Sequence, residues 1–450
     1  MLEDIIGERK RIRSDCVAEG VDPYPATVKR NALVDELIAA FTKLEKKKTR
    51  VIIAGRIRAA RDQGNIIFYD VADESGKMQV LARRDETADF SRAGNTLHTG
   101  DFVEVHGAPY RTKRGEKSIA AKRIRLIAKG IRPLPNEWYG LKDAEERFRK
   151  RYLDTLFNED VKRRLVKRNA VIRALRETLW KEGFQEVETP VLQPIPGGAL
   201  ARPFLTHHNA LDADFYLRVA PELYLKRLLV GGFEKIFEIG RVFRNEGVDR
   251  DHNPEFTMLE LYWAYQDYRG MMKFVRALLG PFIPGRWTTI PFADACKTYG
   301  GTRFEDIPKN GLDEFFKKNV RPRITTPTYV IDYPEHIMPL AKFKSGEPGL
   351  TESFQLIVNG SEVVKGFSEM NDPVVQRQQM EEQERQFRAG NQEASRLDED
   401  FLEALEYGMP PAAGIGIGID RLVALATKTR TIKEIIIFPT LRPEGITEIH

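Results

Sequence analysis

Residues 240–247 read GRVFRNEG, and after a polar loop residues 252–257 read HNPEFT. Two strands joined by a loop rich in arginine, glutamate and histidine can hold a triphosphate. Arg244 offers a planar pair of donors for phosphate or carboxylate oxygens, and Phe256 offers a flat face for a base. The sequence has neither a GxxxxGK[ST] phosphate loop nor GxGxxG after a predicted strand. Any nucleotide site here must therefore be built differently.

A second informative block follows near the C-terminus, where residues 414–421 read GIGIGIDR. Alternating glycines leave one face of a strand without side chains and permit the close approach of a ligand. Arg421 follows at once and could cover an adenine by cation–π stacking, worth about 0.5–2 kcal/mol. A tight glycine-rich packing seam is the alternative explanation. The block GFQEVETP at residues 183–190 indicates by itself only a helix that runs into a strand ending at proline.

The N-terminal part of the chain predicts a small barrel. Residues 32–48 have helical periodicity, with an apolar face formed by Val34, Leu37, Ile38, Phe41 and Leu44. The period then changes to two, and five short strands are predicted at 51–57, 66–71, 77–81, 101–110 and 117–127. Such a run on a basic segment favours a barrel of the oligonucleotide-binding kind, although SH3-like barrels have a similar pattern.

The rest of the chain predicts a larger domain. Two prolines within residues 132–135 indicate a linker. Helical periodicity returns at residues 159–182, with a stripe formed by Val161, Leu165, Ile172, Leu175 and Leu179. Alternating strand and helix candidates with irregular spacing follow, which predicts a mixed α+β domain that extends to the C-terminus.

The charge of the chain is unevenly distributed. Residues 1–135 carry 27 basic and 19 acidic residues, a net of +8, and the remaining 44 basic and 47 acidic residues give −3. A polyanion would prefer the N-terminal part, unless this is only a solvated basic surface. Cys16 and Cys296 are the only cysteines, which fits a reducing, cytoplasmic location. The sequence contains no apolar run long enough to predict a membrane span or a secretory signal.

Taken in order, these blocks resemble motifs 1, 2 and 3 of the class II aminoacyl-tRNA synthetases. The finer text is similar to the lysyl enzyme within the lysyl, aspartyl and asparaginyl subgroup, and the resemblance covers residues 30–445. It is carried by IPGGA (195–199), ARPF (201–204), HHNAL (207–211), PELYLK (221–226), FSE (367–369) and NDP (371–373). The resemblance implies a lysine–tRNA ligase that uses ATP, L-lysine and tRNA(Lys). It also implies an OB-fold anticodon-binding domain at 1–135, a catalytic domain with an antiparallel sheet flanked by helices at 136–450, and a homodimer joined through motif 1.

The resemblance also implies roles for single residues. Arg244 would bridge the lysine carboxylate and the α-phosphate, and Arg421 would be the second catalytic arginine. The expected ATP contacts are Arg244, Glu246, His252, Asn253, Phe256, Gly418 and Arg421. The expected lysine contacts are Glu222 and Glu369 on the ε-ammonium group, with Arg244, Glu260 and Tyr262. Mg²⁺ is expected at Glu362, and Arg61, Phe68 and Gln79 are expected to read the anticodon.

The chain departs from the family pattern near the expected metal. Gln355 stands where the family usually has a glutamate that helps to hold magnesium, and Lys365 stands where it has an asparagine. One hypothesis is that Lys365 partly replaces a metal ion; altered ligand handling or weakened activity are the alternatives. Asp251 replaces the arginine common in bacterial relatives, which leaves the γ-phosphate contact open.

Three other functions are alternatives to a lysine–tRNA ligase. A paralogue that lysylates protein typically lacks the barrel predicted here. A catalytically retired homologue would act as a tRNA-binding or regulatory module, a possibility that Gln355 and Lys365 keep open. An aspartyl or asparaginyl enzyme is disfavoured because Glu222 and Glu369 would repel a carboxylate substrate.

Overall fold

The computed structural model describes residues 2–135 and 143–444. The chain divides into two compact units, Met1–Gly140 and Leu141–His450. Among the described residues, no helix is both long enough and apolar enough to cross a membrane.

The first unit is a closed five-stranded barrel with three helices. The helices are α1 (Leu2–Ala18), α2 (Val34–Lys46) and α3 (Phe90–Thr96). The strands are β1 (Val51–Asp62), β2 (Ile66–Ala72), β3 (Lys77–Arg83), β4 (Phe102–Arg111) and β5 (Lys117–Ala128). They close in the order β1-β2-β3-β5-β4, and only β3 and β5 pair in parallel. The five strands predicted from period-two patterning are therefore confirmed to within about two residues at most ends.

The barrel core explains why these residues form these elements. Val51, Ile53 and Ile57 point inward from β1, as strand alternation requires. Helix α2 packs its buried apolar face against the same core. Ile38 is the exception in the predicted stripe, because 37% of it is exposed. Helix α1 was not predicted; Arg9 on it donates to the carbonyl oxygens of Gly130 and Arg132, at 2.9 and 3.3 Å.

The second unit is a mixed α+β domain. Its helices are α4 (Ala144–Arg149), α5 (Arg151–Phe157), α6 (Glu159–Lys181), α7 (Glu222–Val230), α8 (Tyr268–Leu279), α9 (Phe292–Ala295), α10 (Leu312–Phe315), α11 (Pro373–Arg388), α12 (Glu399–Glu406) and α13 (Ile419–Thr427). Its strands are β6 (Gln185–Glu186), β7 (Leu192–Gln193), β8 (Phe204–His208), β9 (Ala213–Leu217), β10 (Lys235–Phe243), β11 (Glu255–Ala264), β12 (Thr288–Pro291), β13 (Thr328–Ile331), β14 (Ser353–Val358), β15 (Ser361–Ser368) and β16 (Ala412–Gly418).

An eight-stranded sheet organises this unit, in the order β12-β13-β14-β15-β16-β11-β10-β6. Its six central strands are antiparallel, as predicted, whereas β12 and β6 pair in parallel at the two edges. A separate sheet has the order β7-β9-β8. The three sequence blocks therefore meet in one sheet. Strand β6 belongs to the block at 183–190, β10 and β11 to the block at 240–257, and β16 to the block at 414–421.

One face of the large sheet carries a hydrophobic core, and the other carries polar residues beside a smaller apolar cluster. The core also contains side chains from α6, α8 and α13, including Leu175, Leu179, Met271, Val275 and Leu422. Along β11, Leu259 and Leu261 belong to this core. The alternate residues Met258, Glu260 and Tyr262 face the other side and line a cavity.

Candidate active site

The polar face of the large sheet forms a cavity of about 590 Å³. Most of the residues expected from the sequence line it: Glu222, Arg244, Glu246, His252, Asn253, Phe256, Glu260, Tyr262, Glu362, Gly418 and Arg421. Glu369 does not line it. Its carboxylate is fully buried beside the cavity, where it pairs with Lys226. Residues from the blocks at 240–257 and 414–421 and from α7 thus converge on one space large enough for a small-molecule substrate.

The alternating glycines of β16 make room mainly for the protein's own side chains. A Cβ atom on Gly414 would collide with Glu369 Oε1 and the Tyr262 ring, and one on Gly416 would collide with the Met258 methyl group. At Gly418 the nearest atom to such a Cβ is 3.7 Å away, on Arg421. The strand therefore fits a dense acidic end of the cavity at Gly414, and it leaves space for a ligand only near Gly418.

Two arginines face the cavity, Arg244 from the segment just after β10 and Arg421 from helix α13. Arg244, just after β10, lies with its guanidinium carbon 5.1 Å from the centre of the Phe256 ring. Burial lowers the pKa of Arg244, and Glu246 opposes that shift while Arg421 adds to it. Its Nε atom is buried without a hydrogen-bond partner among the described residues. A buried guanidinium with a free donor stabilises an anion strongly, because it is already desolvated.

His252 links the loop between β10 and β11 to Arg421. Its Nδ1 atom lies 2.8 Å from a carboxylate oxygen of Asp249, and its Nε2 atom lies 3.1 Å from Arg421 NH2. When Nδ1 donates to Asp249, Nε2 accepts from Arg421. Arg421 NH1 also donates to the carbonyl oxygen of Glu362, at 3.1 Å. Arg421 is therefore held in place before any ligand binds.

Asn253 and Asp251 both line the cavity, and Asn253 also makes hydrogen bonds within the protein. The Asn253 side chain donates to the carbonyl oxygen of Glu255 at 2.6 Å and accepts from the Thr440 amide at 3.1 Å. Both polar atoms of Asn253 are thus already engaged in holding the loop. Asp251 lines the cavity, and Arg250 lies 3.5 Å from its carboxylate.

An acidic cluster closes the other end of the cavity. We define it as Glu222, Glu260 and Glu369, which are 6%, 3% and 1% exposed. The Tyr262 hydroxyl donates to Glu260 Oε2 at 3.1 Å. Burial raises the pKa of Glu260 well above its usual range, and the charge of Glu222 raises it further. Burial raises the pKa of Glu369 as well, although Lys226 opposes that shift.

Lys226 was not predicted as a site residue. Its fully buried ammonium group lies 2.7 Å from Glu222 Oε1 and 2.5 Å from Glu369 Oε2. Burial by itself would lower the pKa of Lys226, but Glu222 and Glu369 raise it above its ordinary value. The group therefore stays charged, and the acidic cluster already contains one cation.

The expected metal region offers few ligands. Gln355 and Lys365 lie directly opposite each other on β14 and β15, and Gln355 Oε1 accepts from the Tyr333 hydroxyl at 3.0 Å. Within the part of the chain that the structure describes, no three His, Cys, Asp or Glu side chains are grouped to hold a metal ion. Glu362 alone fits a Mg²⁺ ion carried mainly by phosphates and water, since magnesium often takes only one or two protein carboxylates.

Other residues that line the cavity were not predicted. Helix α11 contributes Gln376, Gln379 and Gln383, and the segment before β13 contributes Lys309, Lys317 and Arg321. The spacing of the three glutamines places them on one helix face. Such spacing was visible in the sequence, but it does not show that this face meets a cavity.

The three residues expected to read an anticodon lie on three neighbouring strands of the barrel, β1, β2 and β3. Arg61 and Phe68 are directly opposite on β1 and β2. Phe68 is only partly buried, because Ile67 and Tyr69 on either side of it point into the core. Gln79 is 9% exposed, and its Oε1 atom accepts from the Ser118 hydroxyl at 2.8 Å. Phe68 with Arg61 is therefore the more accessible part of this group.

Comparison with known proteins gives consistent matches. The family described as class II tRNA synthetases (D, K and N) matches residues 143–442, and the OB-fold nucleic acid binding domain matches residues 51–127. A lysine–tRNA ligase of Dehalococcoides mccartyi (strain ATCC BAA-2266) is 43% identical and covers 98% of both chains. Lysine–tRNA ligases of Roseiflexus castenholzii, 44% identical over 95% of this chain and 96% of the relative, and of Clostridium tetani, 42% identical over 98% and 97%, match similarly. These matches confirm the predicted fold class, an OB-fold barrel with a class II α+β domain.

Proposed function

We propose, from the premise that this chain belongs to the class II lysyl-tRNA synthetases, that the cavity described above is where lysine is activated and transferred. The chain is an ATP-dependent aminoacyl-tRNA ligase specific for lysine. The reaction first forms lysyl-adenylate and pyrophosphate, and the lysyl group then passes to the 3′ end of tRNA(Lys). The assignment of single residues to these steps is the proposal.

One observation supports this assignment most strongly: two members of the acidic cluster, Glu222 and Glu260, face the same cavity as the two arginines. Arg244 and Glu260 are close enough that each shifts the pKa of the other. Lysine carries a carboxylate at one end and an ammonium group at the other. The arginine complements the carboxylate of lysine, and the carboxylate cluster complements its ammonium group. The same carboxylate cluster would repel the side chain of an aspartate substrate.

Activation joins a lysine carboxylate oxygen to the α-phosphorus of ATP, and the bond to pyrophosphate breaks. No protein nucleophile is needed, so positioning and charge neutralisation provide the catalysis. Arg244 bridges the lysine carboxylate and the α-phosphate, where negative charge builds up. Arg421, held by His252 and the Glu362 carbonyl, covers the adenine from the side opposite Phe256.

The remaining residues expected to contact ATP have different roles in this proposal. Glu246 lines the cavity beside Arg244 and fits a contact to the nucleotide. Asn253 is occupied by loop hydrogen bonds, so its contribution is to hold the loop that carries His252. For the γ-phosphate, Lys309, Lys317 and Arg321 supply positive charge along the cavity wall in place of the arginine that Asp251 replaces.

Magnesium is part of the proposal. Glu362 is the residue that would hold it, together with the phosphates of ATP. When bound, the ion would neutralise phosphate charge. Lys365 lies on the same strand and provides a fixed positive charge that lowers the need for additional ions.

The N-terminal unit is proposed to bind tRNA through its anticodon. The basic charge of residues 1–135 suits a polyanion, and Phe68 offers a partly exposed ring next to Arg61.

A homodimer through motif 1 is also proposed. Trp180, Val191 and Leu192 flank that block and are about half exposed, at 52%, 40% and 46%. A cytoplasmic location is proposed on the basis of the two free cysteines.

The direct test is aminoacylation of tRNA(Lys) with labelled lysine. We expect ATP-dependent charging of tRNA(Lys) and no charging with aspartate or asparagine. An Arg244→Ala variant controls for contaminating enzyme, because its charging should fall to background. Failure of the wild-type chain to charge tRNA(Lys) would contradict the proposal and favour the retired homologue.

A further inference from the structure

The acidic cluster contains an ammonium group before any substrate arrives. Helix α7 places Glu222 and Lys226 one turn apart, so that the two side chains meet. The Lys226 side chain is 0% exposed and lies between Glu222 and Glu369. Its Nζ atom is also 5.5 Å from the centre of the Phe367 ring. Lys226 therefore occupies the position behind the cavity wall, whereas Glu222 forms part of that wall.

The charges around this group are unbalanced without it. Glu222 and Lys226 come from α7, Glu260 and Tyr262 from β11, and Glu369 follows β15. Two further groups act on Glu260: Arg244, which lowers its pKa, and Glu238, which raises it. Carboxylates this deeply buried and this close favour protonation. Lys226 is the cation that contacts two of them.

Stability alone does not account for this arrangement. A buried ion pair costs several kcal/mol of desolvation per ion, and replacing it by apolar residues is often neutral or stabilising. The pair here uses one oxygen of Glu222, a residue that faces the cavity. Its geometry suits a role in setting the charge that the cavity presents.

We propose that Lys226 is a positioning residue for substrate recognition: its ammonium group fixes the carboxylates of Glu222 and Glu369, so that the acidic cluster presents negative charge to the ε-ammonium of lysine. This inference rests on the proposed function, because it concerns the lysine end of the same cavity.

The test compares Lys226→Met, which keeps the length of the side chain without its charge, with Lys226→Arg, which keeps the charge. The matched control is Lys129→Met. Among the residues that the structure describes, Lys129 is the other fully buried lysine with a carboxylate partner, Asp101 at 2.8 Å, and it lies in the barrel unit. Each full-length variant is assayed for ATP–pyrophosphate exchange at varied lysine, varied ATP and varied pH, and lysine affinity is measured by calorimetry.

In the K226M variant we expect the KM for lysine to rise about tenfold or more, since each unit of carboxylate pKa is a factor of ten in ionisation. The KM for ATP should change less than about twofold. At low lysine, exchange should increase with pH in both proteins as the buried carboxylates lose their protons. The increase should lie at higher pH in K226M, because Lys226 no longer opposes the effect of burial on the pKa of Glu369. K226R should recover most of the lysine affinity, and K129M should bind lysine as wild type does.

Three outcomes would overturn the inference. They are a lysine KM unchanged in K226M, a lower lysine KM, which would make Lys226 a competitor of the substrate, or equal losses for lysine and ATP, which would make the role structural. If K226M does not fold, K226Q is measured against the same criteria. If wild type gives no exchange, the proposed function fails, and the calorimetric comparison of wild type and variants still decides the role of Lys226.

Discussion

The Nζ atom of Lys226 lies 2.7 Å from Glu222 Oε1, although Glu222 also forms part of the cavity wall. A carboxylate that was expected to hold the substrate is therefore already paired on one side. The same ammonium group contacts Glu369, which lies outside the cavity lining. Recognition of lysine in this chain depends on the balance of charge in the whole acidic cluster, and several predictions concern that cluster and its surroundings.

Arg244 should be sensitive even to a conservative change. Lysine cannot reproduce the planar pair of donors, so R244K should lower the rate of lysine-dependent exchange about 100-fold, the scale of losing one transition-state donor. Arg241→Lys is the control, since Arg241 is exposed near the end of β10, three residues before Arg244, and its side chain forms a 3.5 Å ion pair with Glu255. Equal rates for R244K and R241K would remove Arg244 from the catalytic assignment.

Gly414 should not tolerate a side chain. A Cβ atom there would strike Glu369 Oε1 and the Tyr262 ring, which are packed too tightly to move aside. We expect G414A to raise the KM for lysine about 100-fold and to leave the KM for ATP nearly unchanged, because a misplaced buried carboxylate costs several kcal/mol. Gly311→Ala, where a Cβ would meet nothing within 4 Å, serves as control. Normal lysine affinity in G414A would show that the acidic cluster does not bind lysine.

The magnesium requirement tests the two departures from the family pattern. If Lys365 replaces part of the charge of a metal ion, exchange by wild type should rise with Mg²⁺ along a simple single-site curve. A double variant, Gln355→Glu with Lys365→Asn, adds one negative charge and removes one positive charge. It should need a higher Mg²⁺ concentration, with a steeper curve. Lys273→Asn changes an exposed lysine of α8 and should leave the curve unmoved. A wild-type requirement for several ions, unchanged in the double variant, would refute the replacement.

Phe68 should matter for tRNA but not for activation. Loss of one base–aromatic stack is worth about 1–3 kcal/mol, so F68A should raise the KM for tRNA(Lys) between about 5-fold and 150-fold. ATP–pyrophosphate exchange should stay at the wild-type rate. Phe102→Ala is the control, because Phe102 is an exposed aromatic on β4 that packs under Arg56. If F68A and F102A charged tRNA(Lys) equally well, Phe68 would have no part in anticodon reading.

Asp154 should contribute acid-sensitive stability. It is fully buried and accepts from Arg151, Asn158 and Arg147, at 2.8, 2.8 and 2.9 Å. Burial would raise the pKa of Asp154, but the hydrogen bonds from Asn158 and Arg147 and the pairing with Arg151 hold it below its ordinary value. Because the folded-state pKa is depressed, this stability is present above about pH 4 and is lost as pH falls further.

Removing that carboxylate tests this account of Asp154. At neutral pH, D154N should lower the free energy of unfolding by about 3–5 kcal/mol, since it leaves Arg151 buried without its charge partner. The difference from wild type should shrink as the pH falls below about 4. Asp160→Asn, in an exposed pair with Arg163, should leave the melting temperature unchanged. A D154N variant as stable as wild type would show that Arg151 is satisfied by the carbonyl oxygens around it.

Much of the fold could be predicted from the sequence because its patterns are local. Period-two alternation located the barrel strands, and the three blocks located β10, β11 and β16 in the central sheet. Helix α1 was missed because it is held by polar contacts, such as that of Arg9 with Gly130, and has few buried apolar positions. The block at 183–190 predicted a strand where β6 lies, but the parallel pairing of β6 and of β12 was missed, because strand direction is decided by distant parts of the chain.

The candidate site was predicted residue by residue but not in its connections. Lys226 lies within a block that the sequence singled out, yet its contact with Glu369 joins residues 143 positions apart. No spacing rule links the two. They meet because α7 packs against β11, β11 pairs with β16, and β16 pairs with β15. Asn253 shows the same limit, since its engagement by Glu255 and Thr440 became visible only in the folded chain.

The most direct test of the central claim is lysine-dependent ATP–pyrophosphate exchange by the purified full-length chain, with aspartate and asparagine measured in parallel. The account predicts exchange with lysine and background signal with the other two amino acids. Exchange with aspartate or asparagine would contradict the reading of the acidic cluster. No exchange with any of the three, at any magnesium concentration, would contradict the assignment of the cavity as a working activation site.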